Sequence, residues 1–125
     1  METKKERIAV PVDDGYLSAH FGHAGMFAIY DVEHNAVKNA QELIPPPHEP
    51  GSIPRWLHSL GVTTIITGGI GQKAIQFFTD FGIGVCSGAP VLPHDEIIKK
   101  YLANDIVFTG STCNHDHGHG QSCHH

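Results

Sequence analysis

Basic charge is scarce in this chain: eight Lys and Arg stand against thirteen Asp and Glu, for a formal charge of -5. Those few cations are scattered, so the clustered basic surface that nucleic acid or an anionic membrane requires is missing. Long apolar runs are missing too, since none approaches the roughly 20 residues of a membrane-spanning helix. The opening Met-Glu-Thr-Lys-Lys-Glu-Arg mixes both charges where a secretion signal would carry an apolar core. These absences predict a cytoplasmic protein with neither nucleic acid nor membrane as partner. Cysteine is sparse as well. Cys86, Cys113 and Cys123 are too few and too unevenly placed for a disulfide framework, and in a reducing compartment such thiols are ligands, redox groups or core residues.

Histidine, by contrast, is abundant: eleven occur in 125 residues, and five of them follow residue 114. Length and a 40% hydrophobic content fit one compact domain with a single core. Residues 7–12 form a β-branched run that reads as a strand ending near Pro11, because proline cannot donate to a central ladder. The runs 26–32 and 36–44, separated by Glu33-His34-Asn35, read as an antiparallel hairpin. The proline-rich stretch 45–51 is a stiff loop. From Ser52, taken as N-cap, Ile53, Trp56, Leu57 and Leu60 recur at helical spacing until Gly61. A buried-type strand follows over 62–67, then Gly68-Gly69-Ile70-Gly71 and a helical pattern through Ala74, Ile75, Phe77, Phe78 and Phe81, closed by Gly82. Residues 83–86 form a further strand and 95–102 a third helix. Alternating strands and helices call for right-handed crossovers and a mixed sheet covered by helices, an α/β fold in three layers.

Several motifs stand in a fixed order: Ser18-Ala19-His20-Phe21-Gly22, Phe27-Ala28-Ile29-Tyr30-Asp31, Ile53-Pro54-Arg55-Trp56-Leu57, Gly68-Gly69-Ile70-Gly71-Gln72-Lys73-Ala74 and Gly82-Ile83-Gly84-Val85. Together they resemble the dinitrogenase iron-molybdenum cofactor family of nitrogenase accessory factors, over roughly residues 7–105. That family includes carriers and biosynthetic accessory proteins of the nitrogenase cofactor and many stand-alone homologues. The resemblance implies a three-layer α/β/α domain over residues 1–110, with a five-stranded mixed sheet in the order 3-2-1-4-5 and ribonuclease H-like topology. It also implies that His20 contacts a cofactor.

In such a sheet, ligands favour the crevice at the strands' carboxyl ends where strand order reverses. The loops from Asp13 to His20, Gly68 to Gly71 and Cys86 to Gly88 would meet there, bringing His20, Gly69, Gly71 and Cys86 toward one pocket. Imidazole with thiolate suits soft or borderline metals and iron-sulfur-type clusters. Cys86 also ends a buried strand, which favours a plain core thiol over a ligand. Gly69-x-Gly71-x-x-Ala74 matches the dinucleotide fingerprint in its alanine-ended form, but Cys86-Ser87 stands where the acidic residue belongs. What remains is a helix N-terminus that favours an anion, as metal-sulfur clusters usually are, or a tight strand-to-helix turn. A two-magnesium nuclease would have to use Asp13, Asp14 and Asp31, yet Asp13-Asp14-Gly15 is turn chemistry. No hydrolase nucleophile motif is present, so the chain is not expected to be an enzyme.

After Gly110 the composition changes, and residues 111–125 contain no Leu, Ile, Val or aromatic side chain. They are expected to be a tail, disordered unless something binds it. Its seven Cys and His among thirteen residues, including Cys113, His115, His117, His119, Cys123 and His124, can wrap a transition-metal ion without specifying which. The combined expectation is a non-catalytic carrier for an iron-molybdenum or iron-sulfur-type cluster, whose tail captures or transfers metal. Its partners would be the cluster or ion and the cluster-assembly or target metalloproteins, with the protein a monomer or a homodimer. The competing expectation is a regulatory or protein-interaction module whose tail buffers metal.

Overall fold

The computed structural model describes residues 5–21, 24–47, 49 and 51–103. Six strands and three helices occur among them: β1 (Lys5–Asp13), β2 (Tyr16–Leu17), β3 (Met26–Glu33), β4 (Ala36–Leu43), α1 (Ser52–Ser59), β5 (Thr64–Ile66), α2 (Gln72–Asp80), β6 (Gly84–Cys86) and α3 (His94–Leu102). The residues that bend the chain explain its antiparallel half. Asp14 and Gly15 (φ 59° and 88°) join β1 to β2, and His34 and Asn35 (φ 55° and 64°) join β3 to β4. Both pairs supply the two positive φ angles that a tight hairpin turn needs, and Asp, Asn and Gly bear that conformation at low cost.

The sheet is mixed. Its strands follow the path β4-β3-β1-β5-β6, with β2 paired to β1 off that path. β1 runs antiparallel to β3 over Lys5↔Glu33 to Val12↔Met26 and parallel to β5 at Ile8↔Thr64 and Ala9↔Ile65. Two expectations need correction. The strand count among the described residues is six, because the Asp14-Gly15 turn lets Tyr16–Leu17 fold back on β1. β1 also continues through Pro11 to Asp13. The Pro11 carbonyl accepts from Ser18 N–H on the β2 side, at 2.8 Å. A residue's nitrogen and carbonyl face the same side of a strand, so the missing donor leaves the β1–β3 ladder intact.

Alternation along β1 sends its side chains to two cores. Ile8, Val10 and Val12 pack with Ile97, Ile98 and Tyr101 of α3, while Ala9 packs with Ile53 and Leu57 of α1 and Phe78 of α2. Helices therefore cover both faces of the sheet. Both α1 and α2 end in the same six-residue lock: Gly61 N–H bonds His58 O and Val62 N–H bonds Leu57 O, as Gly82 bonds Thr79 and Ile83 bonds Phe78. The two glycines hold φ near 80°, which a side chain would resist. α1 starts differently from the sequence expectation. Gly51 is its N-cap, and Ser52 lies inside, its hydroxyl accepting from Glu49 N–H and donating to Pro47 O.

Candidate functional site

Three loops meet at the carboxyl ends of β1, β5 and β6, where β1 has β3 on one side and β5 on the other. After β2, the chain from Ser18 to Phe21 runs beside the loop after β5 and forms a parallel bridge, His20 with Gly69. Gly69 N–H donates to Ala19 O at 2.6 Å, and Phe21 N–H donates to Gly69 O at 2.7 Å. Ser18 is buried and closes the turn, its hydroxyl donating to His20 O at 2.8 Å. Phe21 then anchors the segment, its ring edge-on to Phe27 and Phe78 with centroids 5.9 and 5.6 Å away. His20 is exposed above this anchor.

Close backbone approach explains the paired glycines. A Cβ on Gly68 would stand 2.7 Å from Ala19 O, and one on Gly69 would stand 3.3 Å from His20 Nδ1. The imidazole thus lies against the bare backbone of the glycine loop. Two residues on, Gly71 caps α2 with no side-chain hydrogen bond, and the first turn holds no acidic residue. The backbone N–H groups of Gln72, Lys73 and Ala74 precede the first helical bond, from Ile75 N–H to Gly71 O. They and Lys73 give this corner positive potential. Beneath it lies Thr67, fully buried, whose hydroxyl has no hydrogen-bond partner among the described residues.

The third loop is laced to the second. Thr67 N–H donates to Cys86 O, Gly88 N–H to Gly68 O and Ala89 N–H to Thr67 O. Cys86 is fully buried in the core beneath α3. The other two cysteines, Cys113 and Cys123, lie outside the described residues. Of the four residues expected at the pocket, His20, Gly69 and Gly71 stand at its surface, whereas Cys86 lies within the core. The tail residues Cys113, His115, His117, His119, Cys123 and His124 also lie outside the described residues. Among the described residues, no three His, Cys, Asp or Glu side chains converge to hold a metal ion.

Sequence reasoning missed a second polar constellation. Tyr30 OH meets His94 Nδ1 at 2.5 Å, and His94 Nε2 meets Glu42 Oε2 at 3.0 Å. Burial, then the negative charges of Asp95 and Glu42, push the Tyr30 phenol from 10.0 up to about 12. The phenol thus stays protonated at neutral pH, and the His94 ring bridges it to Glu42. Nothing local signals a chain that joins residues 64 and 52 positions apart.

Fold and site together define a small α/β domain with a mixed sheet and a glycine loop packed against His20. The chain belongs to the dinitrogenase iron-molybdenum cofactor family, whose model matches residues 4–104. It is 33% identical over 112 residues to an uncharacterized protein of Methanocaldococcus jannaschii, covering 85% of this chain and 93% of that one. The crystal structure of PH0822 matches with a TM-score of 0.78 and 30% identity, over 84% of this chain and 96% of that one. The apo form of the orange protein from Desulfovibrio gigas matches with a TM-score of 0.70 over 87% of this chain and 96% of that one; at 24% identity this likeness is one of fold. Among the described residues, no helix is long and apolar enough to cross a membrane.

Proposed function

We propose that this protein is a non-catalytic carrier for a metal-sulfur cluster or metal cofactor of the iron-molybdenum type, acting in the cytoplasm. The observation that carries the reading is His20 held against Gly69, two residues from the uncapped start of α2. An imidazole supplies one ligand bond, and the helix N-terminus with Lys73 favours the negative charge that such clusters carry. Family membership supplies the cluster class. A fold relative described as an apo form is one that takes a ligand, which agrees. In this reading the tail adds Cys and His ligands that load or deliver metal.

The position of the carboxylates supports a non-catalytic role. Asp31 pairs in register with Arg7, whereas Asp13 and Asp14 lie at the other end of β1. Six residues at about 3.3 Å each put these carboxylates roughly 20 Å apart, too far to share two metal ions.

The test uses the full chain purified anaerobically from its native cells, with metal counted per protein. Apo protein is then titrated with synthetic iron-sulfur cluster and with isolated iron-molybdenum cofactor. The carrier reading expects stoichiometric cluster uptake that survives deletion of residues 111–125 and is lost in His20→Ala. Loss of all metal binding on deleting the tail, with His20→Ala inert, would instead establish the interaction module with a metal-buffering tail.

A further inference from the structure

The segment that carries His20 is restrained from two sides. On the side of the glycine loop, Ala19 O accepts from Gly69 N–H at 2.6 Å and Phe21 N–H donates to Gly69 O at 2.7 Å. In the alternation of an extended chain, the N–H and C=O of His20 itself then face the other way. Both meet one side chain there. Ser18 Oγ donates to His20 O at 2.8 Å and accepts from His20 N–H at 3.4 Å. Ser18 is 2% exposed, and its own N–H is anchored on Pro11 O of β1 at 2.8 Å. A hydroxyl that bonds the backbone two residues on is ordinary turn chemistry. In this turn the residue it closes on is the exposed histidine, whose Nδ1 lies 3.3 Å from where a Cβ on Gly69 would stand.

From this geometry we infer that Ser18 is the positioning residue of the site: its hydroxyl fixes the His20 backbone and thereby sets the imidazole against Gly69, in the orientation that meets a metal. The metal is that of the carrier reading, on which this role rests. An exposed side chain on a loose backbone changes rotamer within about nanoseconds. A ligating group must instead be held to about 0.5 Å and roughly 10–20°. Gly69 limits the ring on one side only, and a backbone free to tilt would carry the ring away from it. Ser18 removes that freedom without touching the cargo. Residues that orient a metal ligand typically contribute about 10–100-fold to affinity. The low end of that range applies here, because the two backbone bonds to Gly69 remain when the hydroxyl is removed.

NMR on the apo full chain, with chelator present, reads the ring before any cluster is added. In the wild type the His20 χ1 couplings are expected to report one dominant rotamer, with nuclear Overhauser contacts from the ring to Gly69 Hα. Ser18→Ala should average the couplings and weaken those contacts, while the amide signals of Ile65 and Phe78 stay at their wild-type positions. Ser18→Thr keeps the hydroxyl and should restore both. Titration with synthetic iron-sulfur cluster then reads the consequence: affinity should fall about tenfold in Ser18→Ala and return to within about threefold of wild type in Ser18→Thr. Averaged couplings in the wild type, an ordered ring in Ser18→Ala, or a Ser18→Thr protein that behaves like Ser18→Ala overturns the inference. So does undiminished affinity in Ser18→Ala where His20→Ala weakens binding. If the ring loosens as expected and neither Ser18→Ala nor His20→Ala changes cluster affinity, the carrier reading fails at His20, while Ser18 stands as the residue that orders the imidazole.

Discussion

Gly68 faces the carbonyl of Ala19 so closely that a methyl group has no place between them: the Cβ would lie 2.7 Å from Ala19 O and 2.9 Å from Ser18 O. Both obstacles are backbone, so neither can rotate away. Gly68→Ala must push the Ser18–His20 segment off the glycine loop and stretch the bonds between Ala19, Gly69 and Phe21. The cost of such overpacking is about 1–3 kcal/mol. Urea denaturation should show a lower midpoint with an unchanged slope. The amide signals of Ala19, His20 and Gly69 should move most in NMR spectra, and a variant as stable as wild type would contradict the geometry.

Much of the fold was legible in the sequence because the chain punctuates itself. His34-Asn35 marks the hairpin, Gly61 and Gly82 end two helices, and Ile97, Ile98 and Tyr101 mark the buried face of the third. What stayed illegible depends on tertiary contact. Pro11 looked like a strand end, and only the direction of its carbonyl toward Ser18 explains its tolerance. Ser52 looked like a cap, but its hydroxyl turns back to Pro47 and the cap falls to Gly51. At the site, the strand order that the family resemblance implies places His20 and the glycine loop at the same end of the sheet. It does not reveal that Ser18 closes the turn or that Thr67 is buried beneath it; the core position of Cys86, at the end of a buried strand, was legible.

The Tyr30–His94–Glu42 chain predicts an alkaline loss of stability. In the unfolded chain the Tyr30 phenol ionises near 10.0, and in the fold near 12. Between those values the unfolded state binds fewer protons, so stability falls as pH rises. The contribution is fully present below 10.0 and is lost as pH passes about 12. Tyr101 is raised by burial as well and acts in the same direction, so the comparison must be between proteins that both retain it. Tyr30→Phe should cost about 1 kcal/mol at neutral pH through the lost hydrogen bond. Its stability should then decline less steeply than wild type between pH 10 and 12. Parallel curves would show that Tyr30 does not titrate as described.

Arg7 ties the sheet to the end of α1. Its Nε donates to Asp31 Oδ1 at 2.5 Å, Nη2 reaches Asp31 Oδ2 at 3.4 Å, and Nη1 donates to Leu60 O. Lysine cannot make this fork and reach a third acceptor at once. Both side chains are partly exposed, at 41% and 30%, so solvent screens the pair. Arg7→Lys should cost about 0.5–1 kcal/mol, less at high salt. A double-mutant cycle with Asp31→Asn should give a coupling of about 0.5 kcal/mol. A coupling indistinguishable from zero at low salt would make the fork irrelevant to stability.

Gly71 offers a way to separate the stability of α2 from its capacity to hold an anion. The residue has an extended backbone (φ -78°, ψ 160°), and an added Cβ would meet nothing within 4 Å. Serine therefore fits. At an N-cap it accepts a hydrogen bond from the N–H of the second or third helical residue, Lys73 or Ala74. Gly71→Ser should thus leave stability unchanged or raise it by a few tenths, about 0.3 kcal/mol. The same bond occupies a donor that an anionic cluster would use. If cargo rests on the start of α2, cluster affinity should fall severalfold while the thermal midpoint holds or rises, a combination that general damage to the fold cannot produce. Titrating wild type and Gly71→Ser with the same synthetic cluster, alongside thermal melts of the apo proteins, measures both quantities. Unchanged affinity would move the cargo away from this helix end and onto His20 and the tail.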